Sequence, residues 1–121
     1  MAYTSPNAGA FYPVGNTITF LANTAAPTAV QCTYTQVPNT GYNSYCQYRV
    51  FNSGSALIFL GVGANAAAAN TNAVVVSSSN TGVPVLPGTL EIFSFPTNSY
   101  FTAVTIGSNT SQIYVTPGFG V

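Results

Sequence analysis

Beyond hydroxyls, phenols and amides, four side chains in this 121-residue sequence offer chemistry: Cys32, Cys46, Arg49 and Glu91. Arg49 is the only cation and Glu91 the only anion, and there is no His and no Trp. General acid–base catalysis draws on His, Glu, Asp or Lys, and a paired-carboxylate mechanism needs two acids. Metal sites built from His or carboxylates have no ligand set to recruit, and counterion release from nucleic acid needs several cations. The chain is therefore expected not to be an enzyme, to hold no cofactor or metal, and to bind no nucleic acid. Arg49 and Glu91 have two readings. Either they make a local polar contact within one chain, or each pairs across a subunit contact, where a single charge fixes register. An exposed pair contributes only about 0–1 kcal/mol, so it is no main source of stability.

Cys32 and Cys46 are equidistant from Asn39. A hairpin centred there would set them opposite each other, and a disulfide closing that loop would add about 3 kcal/mol on the chain-entropy account. The other reading is a pair of small buried hydrophobes, which synthesis in a reducing compartment favours. No Cys-X-X-Cys motif or electropositive neighbour marks either thiol as reactive.

The 8 Phe and 8 Tyr say more. Phe20, Tyr34, Tyr48, Phe59 and Phe101 fall in strand-like runs and are expected in the core. Phe11, Tyr12, Tyr42, Tyr45 and Phe119 lie in or beside irregular segments, where contact with other chains gives them a use. Packing of the arm's aromatics on its own domain is the alternative.

The elements that must position these residues are short. Residues 1–15 read as an extended N-terminal arm, with Pro6 and Pro13 opposing regular structure. Runs of β-branched and aromatic residues then recur between turn signals, predicting strands over 16–22, 28–36, 45–51, 56–62, 72–78, 89–95, 99–106 and 111–116. Within them Ile18 and Phe20 share a face, as do Cys46, Tyr48 and Val50. The Ala-rich stretch 64–70 is expected as a surface loop, because so short a helix is marginal alone. Residues 83–86 contain Pro84 and read as an edge strand or loop. Residues 107–110 read as a hairpin turn, and 117–121 as an irregular tail. The prediction is an all-β fold, an antiparallel β-sandwich over 16–116. An eight-stranded jelly roll is preferred, with an immunoglobulin-like sandwich second.

Other classes fit poorly. The chain is 47% hydrophobic and thus unlike a disordered segment. Its longest apolar stretch, 56–69, is interrupted by Gly61, Gly63 and Asn65 and falls short of the roughly 20 residues a spanning helix needs. The N-terminus shows no basic region followed by an apolar run, so no membrane partner or passage is expected. Only 2% of residues are charged, and the formal net charge is zero. Freely diffusing proteins keep net charge away from zero, so this surface suits a permanent assembly whose neighbours cover it.

Three stretches resemble small proteins encoded among the head genes of tailed bacteriophages. They are Tyr48-Arg49-Val50-Phe51-Asn52-Ser53-Gly54 running into 56–62, then 83–91, and the ending 113–121. The opening Met1-Ala2-Tyr3-Thr4 through Phe11-Tyr12-Pro13-Val14-Gly15 fits the same pattern. The chain departs from that group in its scarcity of charge and in having Phe119 where members of the group often carry an acidic residue. The resemblance implies a capsid decoration, or cement, protein of the virion. Such a protein is a small sandwich, often a homotrimer, bound to the major capsid protein over junctions between capsomers. A neck, tail or head-fibre component and a carbohydrate-binding, adhesin-like sandwich are the alternatives. An ice-binding face would need regularly spaced Thr, which the strands lack.

Overall fold

The structure, a computed structural model, describes residues 11–34, 45–75 and 82–120. Side-chain alternation builds two antiparallel sheets from these residues. The elements are β1 (Tyr12–Pro13), β2 (Ile18–Ala22), β3 (Val30–Gln31), β4 (Tyr45–Asn52), β5 (Ile58–Gly63), α1 (Ala66–Asn72), β6 (Val83–Val85), β7 (Leu90–Pro96), β8 (Tyr100–Thr105) and β9 (Ser111–Phe119). A five-stranded sheet has the order β1-β9-β4-β7, with β2 also pairing β9. A four-stranded sheet has the order β3-β8-β5-β6. The two pack face to face as an all-β sandwich, with Tyr48, Phe101, Ile58, Leu60, Ile113, Val50 and Val115 fully buried between them. The Tyr48 and Phe101 rings meet at 4.8 Å in a tilted pair, a geometry that aligns ring edge with ring face. Phe20, Tyr34, Tyr48, Phe59 and Phe101 are all buried.

Neighbouring strands in sequence seldom share a sheet. The chain crosses between sheets from β2 to β3, β3 to β4, β4 to β5, β6 to β7, β7 to β8 and β8 to β9. Residues 107–110 therefore form a corner between the sheets, not the hairpin the turn residues predict. Asn39 lies outside the described residues, but Cys32 and Cys46 do not face each other across one hairpin, because β3 and β4 belong to different sheets.

Three further elements differ from expectation. Residues 66–72 form a helix where a loop was expected, and the helix occupies the start of the predicted strand over 72–78. Residues 73–75 are not a strand, and 76–78 lie outside the described residues. Ala has the highest helix propensity, and the Asn65 side chain caps the first turn by accepting from Ala68 N at 2.8 Å. Packing supplies what so short a helix lacks alone. Gly61 and Gly63 of β5 face α1, and a Cβ at Gly61 would stand 2.5 Å from the Ala73 Cβ. Ala73 joins Phe59 and Val104 in a second apolar cluster on the outside of the four-stranded sheet.

The tail is the second difference. Residues 117–119 are not irregular but continue β9. Pro117 marked an end because proline donates nothing to a ladder. Here its carbonyl accepts from Val14 N at 2.9 Å, and on that side the ladder is interrupted between β1 and β2. N–H and C=O of one strand residue point the same way, so the absent N–H falls at the interruption. The arm is the third difference. Its described part is not free, since Tyr12 and Pro13 pair with Phe119 and Gly118. By contrast Pro84 stands in β6, an edge strand, where a missing N–H breaks no ladder.

Candidate functional site

The two sheets treat their outer faces differently. The outer face of the four-stranded sheet is covered over β5 and β8 by α1, with Ala26 packing beside it. The outer face of the five-stranded sheet carries side chains that the same alternation pushes away from the core. With Cys46, Tyr48 and Val50 inward on β4, Tyr45, Gln47, Arg49 and Phe51 point outward. On β9, Tyr114 stands outward between buried Ile113 and Val115. Register aligns these positions into a row: Thr19 faces Tyr114, Tyr114 faces Phe51, and Phe51 faces Leu90. The Phe51 and Tyr114 rings are stacked at 6.3 Å with 25° between planes. Leu90 is 49% exposed and Leu21, on β2, 46%. The result is an uncharged strip of aromatic and aliphatic surface crossing the sheet.

A second row runs beside it. Arg49 faces Thr116 on one side and Ile92 on the other. The Thr116 and Thr17 hydroxyls are 2.7 Å apart. Phe11 reaches back over this row, its ring centre 5.2 Å from the Arg49 guanidinium carbon, a cation–π contact. Gly118 makes that approach possible, because a Cβ there would stand 2.5 Å from Phe11 Cζ and would also collide with the Tyr12 carbonyl. Across the sheet from it, at the end of β9, Tyr12 and Phe119 form a tilted pair with ring centres 5.2 Å apart.

The structure thus brings Phe11 and Arg49 together on the outer face, with Tyr12 and Phe119 paired at the same end of the sheet but on its other face, two residues past inward-facing Pro117. Tyr45 is at the same end, two residues beyond Gln47, which faces Gly118. Tyr45 and Tyr12 are the most exposed aromatics among the described residues, at 62% and 60%. The described arm aromatics pack on their own sandwich. Tyr42 lies outside the described residues. Glu91 stands apart: opposite Val50 in register, it occupies an inward-type position on β7 yet is exposed, because β7 is the last strand of its sheet. Arg49 and Glu91 are thus on opposite faces of adjacent strands and form no ion pair with each other.

Cys32 and Cys46 are free, buried thiols in the central core, one at the end of β3 and one on β4. Burial pushes the Cys32 thiol up to about 12, with Cys46 adding to the rise. Cys46 is also raised by burial, against hydrogen bonds involving Tyr48 and the Gly118 backbone. Both thiols are held protonated, the unreactive form. Tyr48, raised mainly by burial, donates to the Pro96 carbonyl at 2.9 Å and accepts from Ser99 N at 3.3 Å.

Phe51, Tyr114, Leu90 and Leu21 were not singled out from the sequence, although alternation carries the signal. Once Tyr48 and Val50 are inward, Phe51 must be outward, and Tyr114 sits between two aliphatic residues that face the core. Compared with known protein families, with curated proteins and with solved structures, the chain matches none of them.

Proposed function

We propose that this protein is a non-catalytic structural component of a tailed-phage virion. In this reading it is a capsid decoration, or cement, protein that binds the major capsid protein on the outer surface of the head as a homotrimer. The observation that carries the reading is the one-sidedness of the sandwich. One outer face is covered at its middle strands, β5 and β8, by α1, while the other presents the Phe51–Tyr114–Leu90 row with Arg49 as its single charge. An aromatic surface with so little charge has a small desolvation cost when covered, as a permanent contact requires. Aromatics at the centre of such a patch carry much of the binding energy, and repeated copies make modest contacts lasting.

The strand order supports reading the sandwich as an eight-stranded jelly roll formed by β2 to β9. Two four-strand paths, β2-β9-β4-β7 and β3-β8-β5-β6, with successive strands alternating between sheets at all but one link, are what two Greek keys produce.

Copy number decides the matter. Quantitative mass spectrometry of purified virus particles, referenced to the major capsid protein, is expected to give a simple ratio to the shell subunit. A dozen copies or fewer per particle would move the protein to the neck, tail or a head fibre. Complete absence from particles, with saturable glycan binding by the purified protein, would favour the carbohydrate-binding reading, for which the stacked Phe51–Tyr114 platform beside Gln112 is the supporting feature.

A further inference from the structure

The only two charges of the chain point in different directions, and neither is satisfied by the other. Arg49 projects from the middle of the five-stranded sheet, half-buried between Thr116 and Ile92. Phe11 takes up one face of its guanidinium. The N–H groups lie around the guanidinium edge, and among the described residues they donate no hydrogen bond. Glu91 is exposed at the β7 edge, and among the described residues its carboxylate accepts no hydrogen bond and meets no cation. Beside it, Phe93 faces Tyr48 in register but is only half-buried. Among the described residues β7 has a strand neighbour on one side only.

We propose that the protein self-associates head to tail. The outer face of one copy, around Arg49, Phe51 and Tyr114, docks against the β7 edge of the next copy at Glu91 and Phe93. Charge complementarity selects a second copy as the occupant. An uncharged partner would bury the Arg49 donors and leave Glu91 unused, whereas a copy of this chain brings one carboxylate to the face and one cation to the edge. Everything else on both patches is uncharged, so no other pairing competes for register. Two different patches meeting make a heterologous contact, which closes into a ring when the rotation allows. The apolar row provides adhesion, and the charged pair fixes which residues meet. This inference rests on the homo-oligomer part of the proposed function and is independent of shell binding.

Sedimentation velocity and native mass spectrometry of the purified full chain test it without any capsid. The wild type is expected to form one closed stoichiometry. R49E and E91R are each expected to weaken association about tenfold or more, and the double variant R49E/E91R to recover most of it. Circular dichroism checks that each variant is folded. If R49E does not fold, exposed Glu91 still decides, because E91R must weaken association more than E91Q. A wild type that stays monomeric at high micromolar concentration overturns the proposal. So do single variants that associate like the wild type, and a double variant as weak as the singles. An intact ring that fails to bind shells counts against the decoration reading alone.

Discussion

Ser111 Oγ donates to Asn52 Oδ1 at 2.6 Å, joining β9 to the end of β4 in a fully buried site. The same oxygen accepts from Gly54 N at 3.2 Å, and Asn52 Nδ2 donates to the carbonyls of Ala56 at 2.8 Å and Val85 at 3.1 Å. Both donors and both lone-pair sites of the amide are used, so the side chain ties both sheets and a loop together. Asn52→Leu leaves these partners without water or a substitute, and is expected to cost about 3–5 kcal/mol. Ser111→Ala removes one bond and is expected to cost about 1–2 kcal/mol. Urea unfolding of the two variants measures the difference.

The close approach of α1 to β5 predicts a second effect. Gly61→Val inserts side-chain carbons where the backbone and Cβ of Ala73 already stand. The helix must lift, exposing Phe59 and Val104. A loss of about 2–4 kcal/mol is expected, with protease cleavage appearing first near residues 66–73. Cleavage elsewhere with α1 still protected would contradict the packing described.

Gly118 predicts a change confined to the arm. Gly118→Ala displaces the Phe11 ring from the outer face and the Tyr12 backbone from β9, while β2 to β8 keep their places. Phe11→Ala removes only the ring over Arg49, and is expected to cost about 1 kcal/mol. Hydrogen exchange of Val14 N, which bonds to Pro117, should rise sharply in Gly118→Ala and little in Phe11→Ala.

Alkaline pH supplies a further test. The Cys32 thiol is raised from 9.0 to about 12, and Cys46 and Tyr48 are raised as well. Each group binds its proton more tightly in the folded chain than in the unfolded one. Its contribution to stability is therefore complete below pH 9.0 and is lost as pH climbs toward the folded values. The urea midpoint should be level through neutral pH and fall above about pH 9, and Cys32→Ala should flatten that fall. A midpoint that rises with pH in this range would be the wrong sign.

Much of the sandwich was legible because alternation is local. The inward assignment of Ile18, Phe20, Cys46, Tyr48 and Val50 needs only the strand that carries them. What alternation does not encode is the neighbour. Gly107 and Ser108 turn a chain back on itself or over to the other sheet with the same residues, so the corner there and the placing of Cys32 and Cys46 on different sheets were not readable. The helix over 66–72 was hidden for a different reason. Its stability comes from Gly61 and Gly63, whose importance appears only when α1 is laid on them. The Asn65 cap was its one local sign. The aromatic end of the sheet was half legible: Phe11, Tyr12, Arg49 and Phe119 were candidates, but their convergence depends on β9 running past Pro117 to meet the arm.

β9 lies between β2 and β4 at the middle of its sheet, yet it follows both in the chain. On a ribosome, β2 and β4 have no partner in each other, and β7 can add only to an incomplete edge. The five-stranded layer therefore cannot assemble until residues 111–119 have left the exit tunnel. Until then the nascent chain carries its apolar runs uncovered and almost without charge to keep neighbouring chains apart. A polypeptide built this way passes through its greatest danger of aggregation during synthesis, and its dependence on holding chaperones should end abruptly when that strand emerges.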